Sequence, residues 1–488
     1  MRALLLAAIL ACTCTTAPAA VRPARARARA GGDEVRALPR LRGALLERNY
    51  AGMLAVCDQS HGPRELFYWL QAPRNAPSAL QPRAPLVLWL NGGPGSSSLT
   101  GLLAENGGYA LGDDGALAPN AHAWNAHAWT LFVDQPVGTG FAHVDASCDS
   151  DLSADGGGGD CYATTLEQTA ADLSEVLEAL IGDIHAGDLA GAPLWVTGES
   201  FAGRYLPWLA EALVLDSAAA KRYPAASAAF AGLVVGNPES DTLLQYPPTA
   251  DMLRGMGYIG DADVERLKGV AFANCSALVR AGTTARAAAT AACEAWCDEL
   301  VAVAGGAFRY DARVWGNPLQ RLDKTLGAYL NDNATKAALN VPSAYEWKSG
   351  DGETVPNRVS AALYGEIERP GALPRLGRLL DKGFPVVVYA GNMDGSPFNH
   401  MSTERALDAG VRFAREAEFR TATRTLWRGR HGLGGQEGPV YGFARQGGGL
   451  SFVVVNNAGH LAPRDQPEAA LDLIERIVLG KQSFAPES

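Results

Sequence analysis

The sequence predicts an α/β fold: a mostly parallel central sheet interrupted by an inserted, largely helical cap. Three observations lead there. Short apolar runs recur at residues 65–70, 85–90, 129–133, 193–197 and 231–235, and return at 385–389 and 450–455. The run Leu86-Val87-Leu88-Trp89-Leu90 lacks polar alternation, as a strand buried on both faces of a parallel sheet does. Between the third and fourth runs a helical pattern places Leu166, Ala170, Leu173, Val176, Leu177, Leu180 and Ile184 on one side, opened by Thr164 and Glu167 as a capping box. Strand, helix, strand implies a right-handed parallel crossover.

Along the chain, Met1-Arg2, an apolar stretch over 3–11 and the small residues Ala17-Pro18-Ala19-Ala20 predict a secretory signal over 1–20. Residues 21–45, with Arg and Ala alternating over 22–29, read as a pro-segment or flexible N-terminus rather than an organelle transit peptide. The first part of the core spans 46–240. Ala-rich helical segments without a clear core strand mark 241–375 as the inserted cap. The second part of the core, 376–488, ends in an amphipathic helix that starts at Pro467 and runs through Leu471, Ile474 and Val478.

With 488 residues, 47% of them apolar, the chain can bury a large core. A formal net charge of −10 argues against nucleic acid as a partner. Past the leader no apolar run is long enough to span a bilayer. Once Cys12 and Cys14 leave with the signal, Cys57, Cys148, Cys161, Cys275, Cys293 and Cys297 remain. Cys148 and Cys161 bracket a polar Asp/Ser/Gly loop and are expected to pair. Cys275, Cys293 and Cys297 have no nearby His, so disulfides are favoured over zinc in an oxidising compartment. Asn274 and Asn333 open N-x-S/T sequons. His122, His127 and His143 lack a metal-ligand spacing, and no metal or cofactor is assigned.

Chemistry concentrates at Thr197-Gly198-Glu199-Ser200-Phe201-Ala202-Gly203, a strand running through a tight turn into a helix with Ser200 at the turn. This is the pattern of a nucleophile elbow. A serine hydroxyl needs a His base, and the imidazole needs a carboxylate to fix its tautomer. In α/β-hydrolase order the acid follows a later strand and the His lies near the C-terminus. Asp394 after 386–393 and His460 after 452–459 occupy those places. The glycine-rich turn Asn91-Gly92-Gly93-Pro94-Gly95 leaves the central strand where an oxyanion donor is required, so Gly93 and Phe201 are assigned to that role. The turn has neither the Lys-Ser/Thr nor the G-x-G-x-x-G of a nucleotide site.

Four motifs together resemble the serine carboxypeptidases, an α/β-hydrolase family. They are Trp89-Leu90-Asn91-Gly92-Gly93-Pro94-Gly95, the stretch Phe132-Val133-Asp134-Gln135-Pro136-Val137-Gly138-Thr139-Gly140-Phe141, the Ser200 motif through Tyr205, and Ala458-Gly459-His460 followed by Asp465-Gln466-Pro467. The resemblance implies an α/β-hydrolase fold and exopeptidase action on peptide or protein C-termini. It also implies that Asn91, Glu105 and Glu199 bind the substrate α-carboxylate, with activity best in mild acid. It implies a place in the secretory pathway, extracellular or in a lysosome or vacuole. Thr403-Glu404-Arg405-Ala406-Leu407 leans towards the vitellogenic-like branch. Two features depart from the family: Ser96 stands where many members have a Cys, and Gly395-Ser396-Pro397-Phe398 after the acid is unusual. An acyltransferase of the same family, or a protective or binding protein on the same fold, are the alternatives that the sequence leaves open.

Overall fold

The computed structural model describes residues 32–58, 62–75, 83–144, 161–282, 286–350, 358–429, 437–480 and 484. In chain order the strands are β1 (Glu34–Val35), β2 (Asn49–Asp58), β3 (Gly62–Gln71), β4 (Leu86–Leu90), β5 (Tyr109–Leu111), β6 (Leu117–Pro119), β7 (Trp129–Asp134), β8 (Leu194–Glu199) and β9 (Phe230–Gly236), followed by β10 (Ala307–Phe308), β11 (Asp311–Trp315), β12 (Val386–Gly391), β13 (Thr425–Arg428), β14 (Val440–Gly447) and β15 (Leu450–Val455). Among the described residues, eleven of them form one sheet in the order β1-β2-β3-β7-β4-β8-β9-β12-β15-β14-β13. The six strands from β7 to β15 in that order are parallel, and both margins of the sheet are antiparallel. The fold is an α/β-hydrolase fold, with strong antiparallel flanks added to the parallel centre.

Alternate residues of the central strands feed two cores. Leu86, Leu88 and Leu90 join one cluster with Val386, Val388 and Ala390. Val87 and Trp89 face the opposite way, with Val387 and Tyr389. Each such side chain contributes about 1.5–3 kcal/mol by leaving water, which is why β4 carries no polar residue. The helix α1 (Ser98–Ala104) packs on the second face through Leu99, Leu102 and Leu103, whereas α2 (Leu166–Ala179) and α3 (Ala202–Ala210) pack on the first, with Leu166, Leu173, Val176 and Leu206 all in the first cluster.

The cap of α2 corrects the sequence reading by one residue. Thr165 is the N-cap and Gln168 closes the box. Glu167 turns outward and accepts from Trp208 at 3.0 Å and Arg369 at 2.8 Å. The box thus begins at Thr165 and not at Thr164, and Glu167 is left free for this tertiary pairing.

A flexible stretch expected over 21–45 does not extend through its last residues. Glu34 and Val35 pair with Tyr50 and Asn49, and Val35 and Leu38 are buried in the second core. The expected signal, 1–20, lies outside the described residues. Within 241–375, Tyr246 to Ala304 build a core of their own around Trp296, Phe272 and Leu267. Leu326, Tyr329 and Trp347 instead join the second core, and Val359 and Leu373 the first. No helix among the described residues is long and apolar enough to cross a membrane.

Candidate active site

Strand β8 delivers Ser200 at φ 61°, a left-handed conformation that few non-glycine residues adopt. Its backbone is held from three sides. Ser200 N donates to Gly236 O at 3.0 Å, while Glu239 N and Gly203 N donate to Ser200 O at 2.9 and 2.8 Å. Strain of this kind costs on the order of 1–3 kcal/mol and persists only where the surroundings over-determine it. Small neighbours are obligatory: a Cβ on Gly198 would sit 2.4 Å from Leu90 O, and one on Gly203 2.5 Å from Glu239 O. Gly203 is thus a second obligatory glycine, and the Cβ of Ala202 is accommodated beside Gly198, where a Cβ on that glycine would lie 2.7 Å from it.

His460 Nδ1 lies 2.8 Å from Asp394 Oδ2, with both side chains buried. The same oxygen accepts a 2.7 Å hydrogen bond from Asn237 Nδ2, and Oδ1 accepts from Ser396 N at 2.9 Å. The unusual segment after the acid therefore supports it: Ser396 caps the carboxylate, and its Oγ accepts from Phe398 N at 3.2 Å. The imidazole is packed against Tyr310 and Phe398, at ring separations of 4.6 and 5.9 Å. His460 N also donates to Tyr310 O at 2.8 Å. Ser200 and His460 line one cleft of about 560 Å³, walled by Phe308, Tyr310, Leu319 and Leu322.

The turn after β4 lies against the elbow. A Cβ on Gly92 would fall 2.4 Å from Phe201 N and 2.8 Å from Ser200 Cβ, and Gly93 has φ 107°. Among the described residues the amides of Gly93 and Phe201 donate to no protein acceptor. Ser97 anchors this turn. Its Oγ donates to Asp134 Oδ1 at 2.6 Å and accepts from Trp347 Nε1 at 2.9 Å and Leu99 N at 3.2 Å. Asp134 also accepts from Ser98 N and Phe141 N, both at 2.9 Å. Its carboxyl is nevertheless pushed up to about 6 by burial. Ser97 N in turn donates to Ser349 O at 3.2 Å. Ser96 offers no thiol here, and hydrogen bonds through Ser97 tie the turn to its neighbours.

Asn91, Glu105 and Glu199 come together, with Asn91 and Glu199 lining the cleft. Asn91 Nδ2 donates to Glu199 Oε1 at 2.9 Å and to Glu105 Oε1 at 3.3 Å. Asn91 Oδ1 is occupied by Trp89 Nε1 at 2.9 Å and Gly101 N at 3.0 Å, so the amide cannot reverse. Burial pushes the Glu105 carboxyl up to about 7. Glu199 is held well above the usual carboxylate range by burial and then by the charge of Glu105. Two buried carboxyls facing each other share one proton, because ionising both would place like charges in contact.

Asn237, Trp89, Ser97, Asp134 and Trp347 were not among the residues singled out from the sequence as site residues. Trp89 packs edge-on against Trp124 at 5.1 Å, and its indole N–H also orients Asn91. Away from the cleft, Cys275 and Cys293 form a disulfide and Cys297 is a buried thiol. The expected Cys148–Cys161 pair lies outside the described residues through Cys148. Asn274 and Asn333 are exposed, on the helices Val270–Ala281 and Asn333–Ala338.

Residues 39–480 match the sequence profile described as serine carboxypeptidase. The pheromone-processing carboxypeptidase KEX1 of Phytophthora infestans is 28% identical over 462 residues, covering 92% of this chain and 72% of that protein. The protein of the same name from Aspergillus terreus is 28% identical over 479 residues, covering 94% and 70%. Among solved structures, the Kex1(Δ)p prohormone-processing carboxypeptidase of Saccharomyces cerevisiae superposes with a TM-score of 0.74 at 22% identity, over 89% of this chain and 92% of that one.

Proposed function

The chain belongs to the serine carboxypeptidase family and is a serine-type carboxypeptidase, and from that premise we propose how its residues divide the work. Ser200 attacks the carbonyl of the last peptide bond. His460 takes the hydroxyl proton and passes it to the departing amino acid, while Asp394 holds the Nδ1–H tautomer and stabilises the imidazolium. The tetrahedral oxyanion is received by the amides of Gly93 and Phe201, a contribution of about 10²–10³ in rate for each donor. Water activated by His460 then releases the acyl group from Ser200.

Asn91, Glu105 and Glu199 receive the substrate α-carboxylate. The carrying observation is that the Asn91 amide bridges both glutamates, and that Asn91 and Glu199 line the cleft together with Ser200 and His460. A third carboxylate is attracted only while the pair keeps its proton, so peptidase efficiency is best in mild acid and declines as the pair ionises. Substrates are peptide and protein C-termini. A secretory-pathway location, extracellular, lysosomal or vacuolar, accords with the leader-like N-terminus and with the Cys275–Cys293 disulfide. The exposed Asn274 and Asn333 are offered as glycan acceptors, and 241–375 as the cover of the cleft.

The test is kcat/KM against pH for a blocked dipeptide and its C-terminal amide, in wild type, Ser200→Ala and Glu105→Gln. We expect Ser200→Ala to lose about 10⁴-fold or more on both substrates. The free acid should lose efficiency at lower pH than the amide. Superimposable profiles for the two substrates would remove the carboxylate role, and turnover by Ser200→Ala would remove the nucleophile.

A further inference from the structure

One residue beside the glutamate pair has no part in the scheme above. Tyr389 lies on β12, where it pairs laterally with Gly236 of β9, and Gly236 pairs in turn with Glu199 at the end of β8. Lateral partners in a parallel sheet project to the same face, so Tyr389, Gly236 and Glu199 form a row across three strands. Gly236 contributes no side chain, and the phenol lies over it. A Cβ there would be 2.3 Å from Tyr389 Cζ and 2.5 Å from its hydroxyl oxygen. The ring therefore reaches across the intervening strand towards Glu199, and its first electrostatic partners are Glu199 and then Glu105.

The phenol is unpartnered at this place. Among the described residues, the Tyr389 hydroxyl is buried with no hydrogen-bond partner, while the second oxygens of Glu199 and Glu105 have no partner beyond the bond that joins the two carboxyls. Burying a hydroxyl without a partner costs stability, and phenylalanine would fill the same space over Gly236 without that cost. The remaining groups that face the pair arrive from other directions. Asn91 comes from the end of β4, the Asp394 charge acts on Glu199 from beyond β12, and His460 and Arg464 act on Glu105 from the segment after β15.

We propose that Tyr389 is a positioning residue for the carboxyl pair: its hydroxyl, laid over Gly236, offers a donor to Glu199 and helps decide how far up in pH a free-acid substrate is still bound. This rests on the reading of Asn91, Glu105 and Glu199 as the α-carboxylate site. A donor directed at a carboxylate favours its ionised form. With the donor removed, the pair holds its shared proton to higher pH. Tyr389 itself stays protonated throughout, because burial pushes its hydroxyl well above the usual phenol range.

Tyr389→Phe deletes the donor and keeps the ring. The alkaline limb of kcat/KM for the blocked dipeptide should move up by about 0.5–1 pH unit, so that on the limb the variant exceeds wild type by roughly 3–10-fold. The C-terminal amide, which presents no carboxylate, should keep its wild-type profile. Inhibition by the released free amino acid across the same pH range reads the site without turnover and should extend upward by the same amount. A limb that stays in place or moves down overturns the inference, as does an equal shift for both substrates, which would place the effect at His460. If the wild-type profiles of acid and amide already superimpose, the carboxylate site itself fails; if they differ and only Tyr389→Phe is silent, this inference alone fails.

Discussion

The indole N–H of Trp89 points at Oδ1 of Asn91 from 2.9 Å and so fixes which end of that amide meets the glutamates. With the indole replaced in Trp89→Phe, Gly101 N alone would orient the amide. A net hydrogen bond of this kind is worth about 1 kcal/mol, so KM for free-acid dipeptides should rise by roughly fivefold. The C-terminal amide should be unaffected. Steady-state kinetics on the two substrates checks this, and an equal change in both would assign Trp89 to packing alone.

Asn237 and His460 converge on one oxygen of Asp394. Asn237 also has φ 41°, so Asn237→Gly preserves the backbone while deleting the amide. Losing a hydrogen bond to a buried carboxylate should lower kcat by about tenfold for acid and amide substrates alike, with KM little changed. A change confined to KM would contradict this placement.

Ser97→Ala removes the N-cap acceptor of α1 and leaves Asp134 and the Trp347 indole each short of a partner. Cap loss and newly orphaned groups together predict a destabilisation of about 2–4 kcal/mol. Urea unfolding measures it. A variant as stable as wild type would mean that the turn is held elsewhere.

Stability should depend on pH with a definite sign. Burial raises Glu105 and Glu239 to about 7 and Asp134 to about 6. A carboxyl raised in the folded state contributes fully below its unfolded value near 4, and that contribution is lost as pH rises through 6–7. Asp33 and Glu167 are lowered instead, so their contribution is lost on acidification below about 4. The melting temperature should therefore peak between about pH 4 and 5 and fall towards pH 8. A Tm that rises over pH 5–8 would count against these assignments, and Glu239→Gln should flatten the fall.

Peptide mapping without reduction should recover Cys275 linked to Cys293, with Cys297 alkylated only after unfolding. The bridge closes a sequence separation of 18, for which chain entropy predicts about 3 kcal/mol. Cys293→Ser should loosen the helices of the Trp296 core, seen as faster amide exchange there. Unchanged exchange would show that packing around Trp296 suffices.

What the sequence made legible was local. The unbroken apolar run of β4 marked the centre of the sheet, and the chain order of Ser200, Asp394 and His460 marked three groups that follow strand ends. The margins were harder to see. β2 and β14 are each paired on both sides, β2 by β1 and β3 and β14 by β13 and β15, and Gly52, Gly442 and Arg445 interrupt any simple alternation. Asn237 was invisible as a site residue because its partner lies 157 residues away. Trp347 is 250 residues from Ser97, and no periodicity connects them. Such contacts come from the topology of the sheet, which brings the ends of β4, β8, β9 and β12 side by side.

Glu199 and Ser200 are consecutive in the chain, so the proposed anchor for the substrate terminus and the attacking oxygen are separated by a single peptide unit. Covalent geometry holds their Cα atoms about 3.8 Å apart, so loop movements cannot part the two residues, and only the rotamers of the two side chains set the rest of the span. The proposed nucleophile thus carries its own measuring rod. A bound chain is counted from its end, and each cut returns a new end of the same kind. Trimming can therefore repeat, one residue at a time, until the walls of the cleft reject the next side chain.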